Sequence, residues 1–285
     1  MTLPSVCGTE LRCVDRGQGL PLLLVHGFPL DHTMWTEQIE AISPQHRVIA
    51  PDLRGFGLGK GDRSNLCEAP SGPFRQIGPV PFSADKVTMD QFADDLAAAL
   101  DALGVNEPVV LCGLSMGGYI ALAFWRKYAK RLRGLVLCDT RAAADSPEAA
   151  AARRVMADRV LAEGPGPLVE AMLPRLLAET TVRERPELVD GLRRLMMSAS
   201  PQGIAAAARG MAERPDMTAA LAEIRCPTLV VVGQEDASST PAEMRGIAAA
   251  TPGAKFVEIP AAGHLSPIEN PAAVSAALLD FLAAV

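Results

Sequence analysis

Six short apolar runs, set among longer stretches of helical character, constrain this chain more than any other feature. They are Leu22–His26, Arg47–Ala50, Val109–Cys112, Gly134–Cys138, Thr228–Val232 and Lys255–Ile259. Several are apolar at nearly every position. A strand with one face in water alternates apolar and polar residues, whereas a strand covered on both faces does not. The runs therefore predict a mostly parallel sheet with helices on both sides. Met89–Leu103, Gly118–Tyr128, Pro241–Ala250 and Pro271–Ala284 supply helices, the last with an apolar stripe of Val274, Leu278, Leu279 and Phe281. Such alternation indicates βαβ units and an α/β fold class. The opening stretch Ser5–Val14 reads as an antiparallel edge strand or hairpin.

Two segments break the rhythm. Gly57 to Asp85 is rich in Gly and Pro, lacks periodicity and reads as a long functional or mobile loop. Ala142 to Asp216 has no strand candidate; its prolines punctuate three or four helices, an insertion between two strands. The expected division is a core of 1–141 and 217–285 with a helical insertion of 142–216.

Gly113-Leu114-Ser115-Met116-Gly117 lies where a buried run ends and a helix begins. A serine between glycines at a strand-to-helix junction fits a nucleophile elbow, a turn too tight for side chains at the flanking positions. The turn lifts the hydroxyl above the carboxyl end of the sheet, where open α/β sheets bind ligands. The helix N-terminus behind it offers free N–H groups to developing negative charge.

A serine hydroxyl needs a base. After such an elbow the partners come in the order acid, then histidine. Of four histidines, His26, His32, His46 and His264, only the last follows Ser115. The acid belongs after the run Thr228–Val232, where Gly233-Gln234-Glu235-Asp236 stands. Asp236 is the choice to orient the imidazole; Asp139, after the preceding run, remains a competitor. The oxyanion donors are then the backbone N–H groups of Met116 and of Phe28, in the loop His26-Gly27-Phe28-Pro29. His26 reads as a brace for that loop. Pro29 stiffens it, with a peptide bond open to the cis form.

Composition narrows the partners. An apolar share of 49% and a charged share of 21% are ordinary for a globular protein, and a net charge of −6 with no basic cluster argues against nucleic acid. No apolar stretch reaches membrane-spanning length. Met1–Gly8 has no signal-peptide pattern, so the expected location is cytoplasmic. Six cysteines without a CxxC pair read as small buried hydrophobes. No metal-ligand spacing or dinucleotide motif appears, so no cofactor and no metal are expected.

The stretches "HGFP", "PDLRGFG", "GLSMGG", "GQED" and "AGHLSPIENP", in this order and spacing, resemble the α/β-hydrolase superfamily along nearly the whole chain. Within it the pattern is similar to small carboxylesterases and 3-oxoadipate enol-lactonases, and it overlaps the cofactor-free perhydrolases. The resemblance implies a serine hydrolase cleaving carboxylic esters of small, apolar substrates through an acyl-enzyme. Lactonase, perhydrolase, C–C bond hydrolase and non-enzymatic receptor are the alternatives. It also implies that Ala142–Asp216 is a cap over the site, that Arg54 and Asp52 brace loops, and that Trp35 and Leu114 border the substrate. A homodimer is possible on this reading. Dehalogenases and most epoxide hydrolases are disfavoured, because they place an aspartate where Ser115 stands.

Overall fold

Eight strands form one sheet in the computed structural model, which describes residues 9–57, 74–80 and 85–285, with the backbone alone at 9–11 and 74–80. The strands are β1 (Thr9–Arg16), β2 (Pro21–Val25), β3 (Arg47–Pro51), β4 (Phe74–Val80), β5 (Val109–Leu114), β6 (Leu132–Cys138), β7 (Thr228–Gly233) and β8 (Lys255–Ile259). Their order is β4-β1-β3-β2-β5-β6-β7-β8. All pairs from β3 to β8 are parallel; β1 runs antiparallel to both β3 and β4.

The helices are α1 (Thr36–Ile42), α2 (Met89–Ala102), α3 (Met116–Tyr128), α4 (Pro147–Glu163), α5 (Gly166–Leu176), α6 (Glu179–Glu184), α7 (Pro186–Met197), α8 (Pro201–Met211), α9 (Pro241–Ala250), α10 (Ser266–Glu269) and α11 (Pro271–Leu282). Alternate strand residues enter two apolar layers. Leu23, Leu111, Leu135 and Val230 meet Phe92 of α2, Phe124 of α3 and Ile247 of α9. Leu22, Val110, Val136 and Leu229 meet Ile39 of α1 and Phe281 of α11. Sequence cues mark the helix starts. Thr88 and Gln91 close a capping box on α2, and Pro147, Pro186, Pro201, Pro241 and Pro271 stand in the first turns of their helices.

Three expectations change. The segment from Gly57 to Asp85 is not structureless: it contains β4, paired with β1. The remainder of that predicted loop, 58–73 and 81–84, lies outside the described residues, as does the Ser5–Gly8 part of the opening strand. With β4 outside it, β1 is the second strand and not the edge. The insertion between β6 and β7 holds five helices, α4 to α8, because α6 is a short piece between a proline-capped neighbour and α5. Four of these helices also share the two apolar layers: Val160 of α4 and Ile204 of α8 enter one, Leu173 of α5 and Leu195 of α7 the other.

Cys13, Cys112, Cys138 and Cys226 are free thiols, three of them buried, and burial pushes all four up. Among the described residues no helix is long and apolar enough to cross a membrane.

Candidate active site

Ser115 follows β5 directly, with φ 53° and ψ −112°. A side chain in that left-handed region is strained and is held by its surroundings. The flanking glycines show why the turn closes. A Cβ at Gly113 would lie 2.1 Å from the Gly117 carbonyl oxygen, and one at Gly117 would lie 2.3 Å from that of Val25. Neither contact is tolerable, so the elbow requires both glycines.

His264 lies in the loop between β8 and α10, and Asp236 in the loop after β7. His264 Nε2 is 2.9 Å from Ser115 Oγ, and His264 Nδ1 is 2.8 Å from Asp236 Oδ2. Asp236 Oδ1 accepts from the backbone N–H groups of Ser238 (2.7 Å) and Ser239 (2.9 Å). Both His264 and Asp236 are buried. Burial works against the charged imidazole, but the hydrogen bond and charge of Asp236, with Asp139 behind, outweigh it and raise His264 above its ordinary value. The competitor Asp139 accepts instead from Gly233 N–H and from the Ser266 hydroxyl.

Phe28 and Met116 flank the elbow. Met116 opens α3, and the 26–29 loop passes so close that a Cβ on Gly27 would lie 3.5 Å from Ser115 Cβ. The Phe28–Pro29 bond is cis. His26 is fully buried; its Nδ1 bonds the Gly27 carbonyl, and its Nε2 accepts from Leu53 N–H, so it ties the loop after β2 to the loop after β3. Arg54 pairs with Asp95 on α2. Asp31, His32 and Asp52 bring potential metal-ligand atoms within 4.8 Å, but Asp52 Oδ1 accepts from the backbone N–H of His32 and bonds its ring Nδ1, and Asp31 caps the turn at Thr33.

A cavity of about 160 Å³ opens over Ser115 and His264. Phe28, Met172 of α5, Leu176 and Met211 give it apolar surface. Tyr119, Arg141, Arg153, Ser238 and Ser239 give it polar surface. Arg153 pairs with Asp145, and Arg141 with Glu243. Trp35 and Leu114 are not among the residues lining this cavity; both are fully buried in the second apolar layer. Sequence reasoning missed Tyr119 and Arg141. Their signal was positional: one is in the first turn of the helix after the elbow, the other just past the end of β6.

Residues 21–271 match the model of the alpha/beta hydrolase fold family. The chain belongs to that family. Among alpha/beta hydrolases of known structure, it is similar to a thermophilic esterase from Thermogutta terrifontis, solved with malate bound. The two are 49% identical, 99% of this chain and 96% of the other are covered, and the TM-score is 0.87. The enol-lactonase of Burkholderia xenovorans LB400 is 30% identical over 98% of each chain, with a TM-score of 0.81. Among curated relatives, 3-oxoadipate enol-lactonase 2 of Acinetobacter baylyi is 26% identical over 86% of this chain and 82% of its own length. The chain is thus an enol-lactonase- and esterase-like alpha/beta hydrolase.

Proposed function

We propose that this hydrolase cleaves carboxylic esters of small substrates through an acyl-enzyme, with Ser115 as nucleophile, His264 as base and Asp236 as the acid that orients it. The observation that carries the reading is the continuous hydrogen-bonded line from Asp236 through His264 to Ser115, ending at the floor of a cavity. Asp236 accepts from Nδ1–H and leaves Nε2 free to take the serine proton. Ser115 Oγ attacks the carbonyl carbon, and the backbone N–H groups of Phe28 and Met116 receive the oxyanion. His264 returns the proton to the departing alcohol. Water, deprotonated by the same nitrogen, then releases the acid and restores the serine hydroxyl. Because Asp236 raises the imidazole, the neutral base forms at a higher pH than it would in a free histidine.

On this reading 142–216 is a cap on a core of 1–141 and 217–285. It brings Arg153, Met172, Leu176 and Met211 to the cavity. The apolar part of the lining, Phe28, Met172, Leu176 and Met211, suits a short acyl chain beside a polar wall. A second reading, opening of a carboxylate-bearing lactone by the same residues, is favoured by Arg141 and Arg153 on the cavity wall.

The test is hydrolysis of short p-nitrophenyl esters and of 3-oxoadipate enol-lactone by the wild type and Ser115→Ala. The expected loss in the variant is about a thousandfold or more in kcat. Equal rates in both proteins overturn the proposal, and preference for the lactone selects the second reading.

A further inference from the structure

Besides Asp139, the mechanism leaves a second buried carboxylate near His264 without a task. Glu269 ends α10, is 6% exposed, and faces donors from two parts of the chain. Its Oε1 accepts from the N–H of Gly263, the residue before His264, at 2.8 Å. Its Oε2 accepts from the N–H of Ala178 at 2.8 Å and from the Thr181 hydroxyl at 2.7 Å. Ala178 and Thr181 belong to the helical segment between β6 and β7, at the start of α6.

Further contacts follow the same seam. Leu265 N–H, on the other side of His264, donates to the Leu176 carbonyl at 3.2 Å, and Leu176 lines the cavity. Arg185 donates to the Glu269 carbonyl at 2.9 Å. The approach is closed to larger side chains, since a Cβ on Gly263 would lie 2.7 Å from Ala178 N and 2.8 Å from Leu177 C. Both neighbours of His264 are therefore fastened to residues 176–178.

Taking the catalytic reading above as its basis, we infer that Glu269 is a positioning residue: it holds the His264 loop and the 176–181 connection in one register, so that seating of the helical segment and placement of the base are a single event. A carboxylate suits the role. Its two oxygens accept from opposite sides at once, and three donors around one ionised group make charge-assisted bonds. Burial raises Glu269 above the ordinary carboxylate value, and those donors only partly offset it. A glutamine of the same size has one acceptor oxygen and must turn its amide toward a donor on one side.

Glu269→Gln and Thr181→Val test this. The second removes one of the two donors on the helical-segment side, leaves that of Ala178, and removes no group that touches substrate. Steady-state kinetics on a neutral p-nitrophenyl ester, labelling of Ser115 by a fluorophosphonate, and thermal melts are compared with the wild type. Expected for each variant is a fall of about ten- to a hundredfold in kcat, with KM within about twofold and labelling slowed in proportion. Thr181→Val keeps the melting point within about 5 °C of the wild type. If Glu269→Gln does not fold, Thr181→Val decides alone. Unchanged kcat and labelling, or a rise confined to KM, overturns the inference while the catalytic reading stands. A folded wild type that neither cleaves esters or lactone nor takes the label overturns the catalytic reading, and this inference with it.

Discussion

Asp139 is a fully buried carboxyl at a left-handed backbone position, φ 45°. Burial and the nearby charge of Asp236 raise it to about 7. The folded chain therefore holds a proton there at pH values where an unfolded aspartate has lost it. The stability tied to that proton is complete below the unfolded value and is lost as pH rises through about 7. Asp139→Asn removes the titration, and the Ser266 hydroxyl can turn to accept from the amide. Between about pH 5 and about pH 8 the wild-type melting point should fall relative to that of the variant, read by circular dichroism melts across the range. Parallel curves would contradict this. At this scale Ser115 and His264 were legible, one from a glycine-flanked junction and the other as the sole histidine downstream. Asp139 and Asp236 both follow strands, and chain order does not choose between them; Asp236 stands three residues past its strand and bonds His264 Nδ1, whereas Asp139 follows β6 directly and bonds Gly233 and Ser266. Glu269 was not legible as a latch, because Ala178 and Thr181 meet it only after the helical segment packs.

Among the elements, the buried strands and their helices were readable because continuous apolar runs and helix period are local properties. β4 was not. It carries Gly78 and Pro79, lacks alternation, and pairs only with the outer side of β1. An edge position tolerates proline, and pairing with a distant strand overrides weak propensity. Helix α8 shows a tighter constraint. A Cβ on Gly210 would lie 1.8 Å from the Val87 carbonyl oxygen, and Val87 N–H donates to the Ala206 carbonyl at 3.1 Å. Gly210→Ala must push the helix off the loop before α2. The expected cost is about 1–3 kcal/mol, measured by urea denaturation, although alanine is the better helix former. A neutral or stabilising result would mean that the loop yields freely.

For the whole molecule, the side chains that α4, α5, α7 and α8 place in the apolar layers tie the inserted segment to the sheet. Trp35 lies in one layer and Trp125 packs against the other, so tryptophan fluorescence senses both. Urea transitions followed by fluorescence and by far-ultraviolet circular dichroism should coincide; two separated steps would make 142–216 an independently folding unit. The elbow bears on the same balance. Holding Ser115 at φ 53° costs about 1–3 kcal/mol that glycine would avoid. A lineage freed from the need for a reactive oxygen at that spot would gain heat resistance by drifting to glycine there. On the proposed mechanism, the strained serine thus exchanges durability for a reactive oxygen.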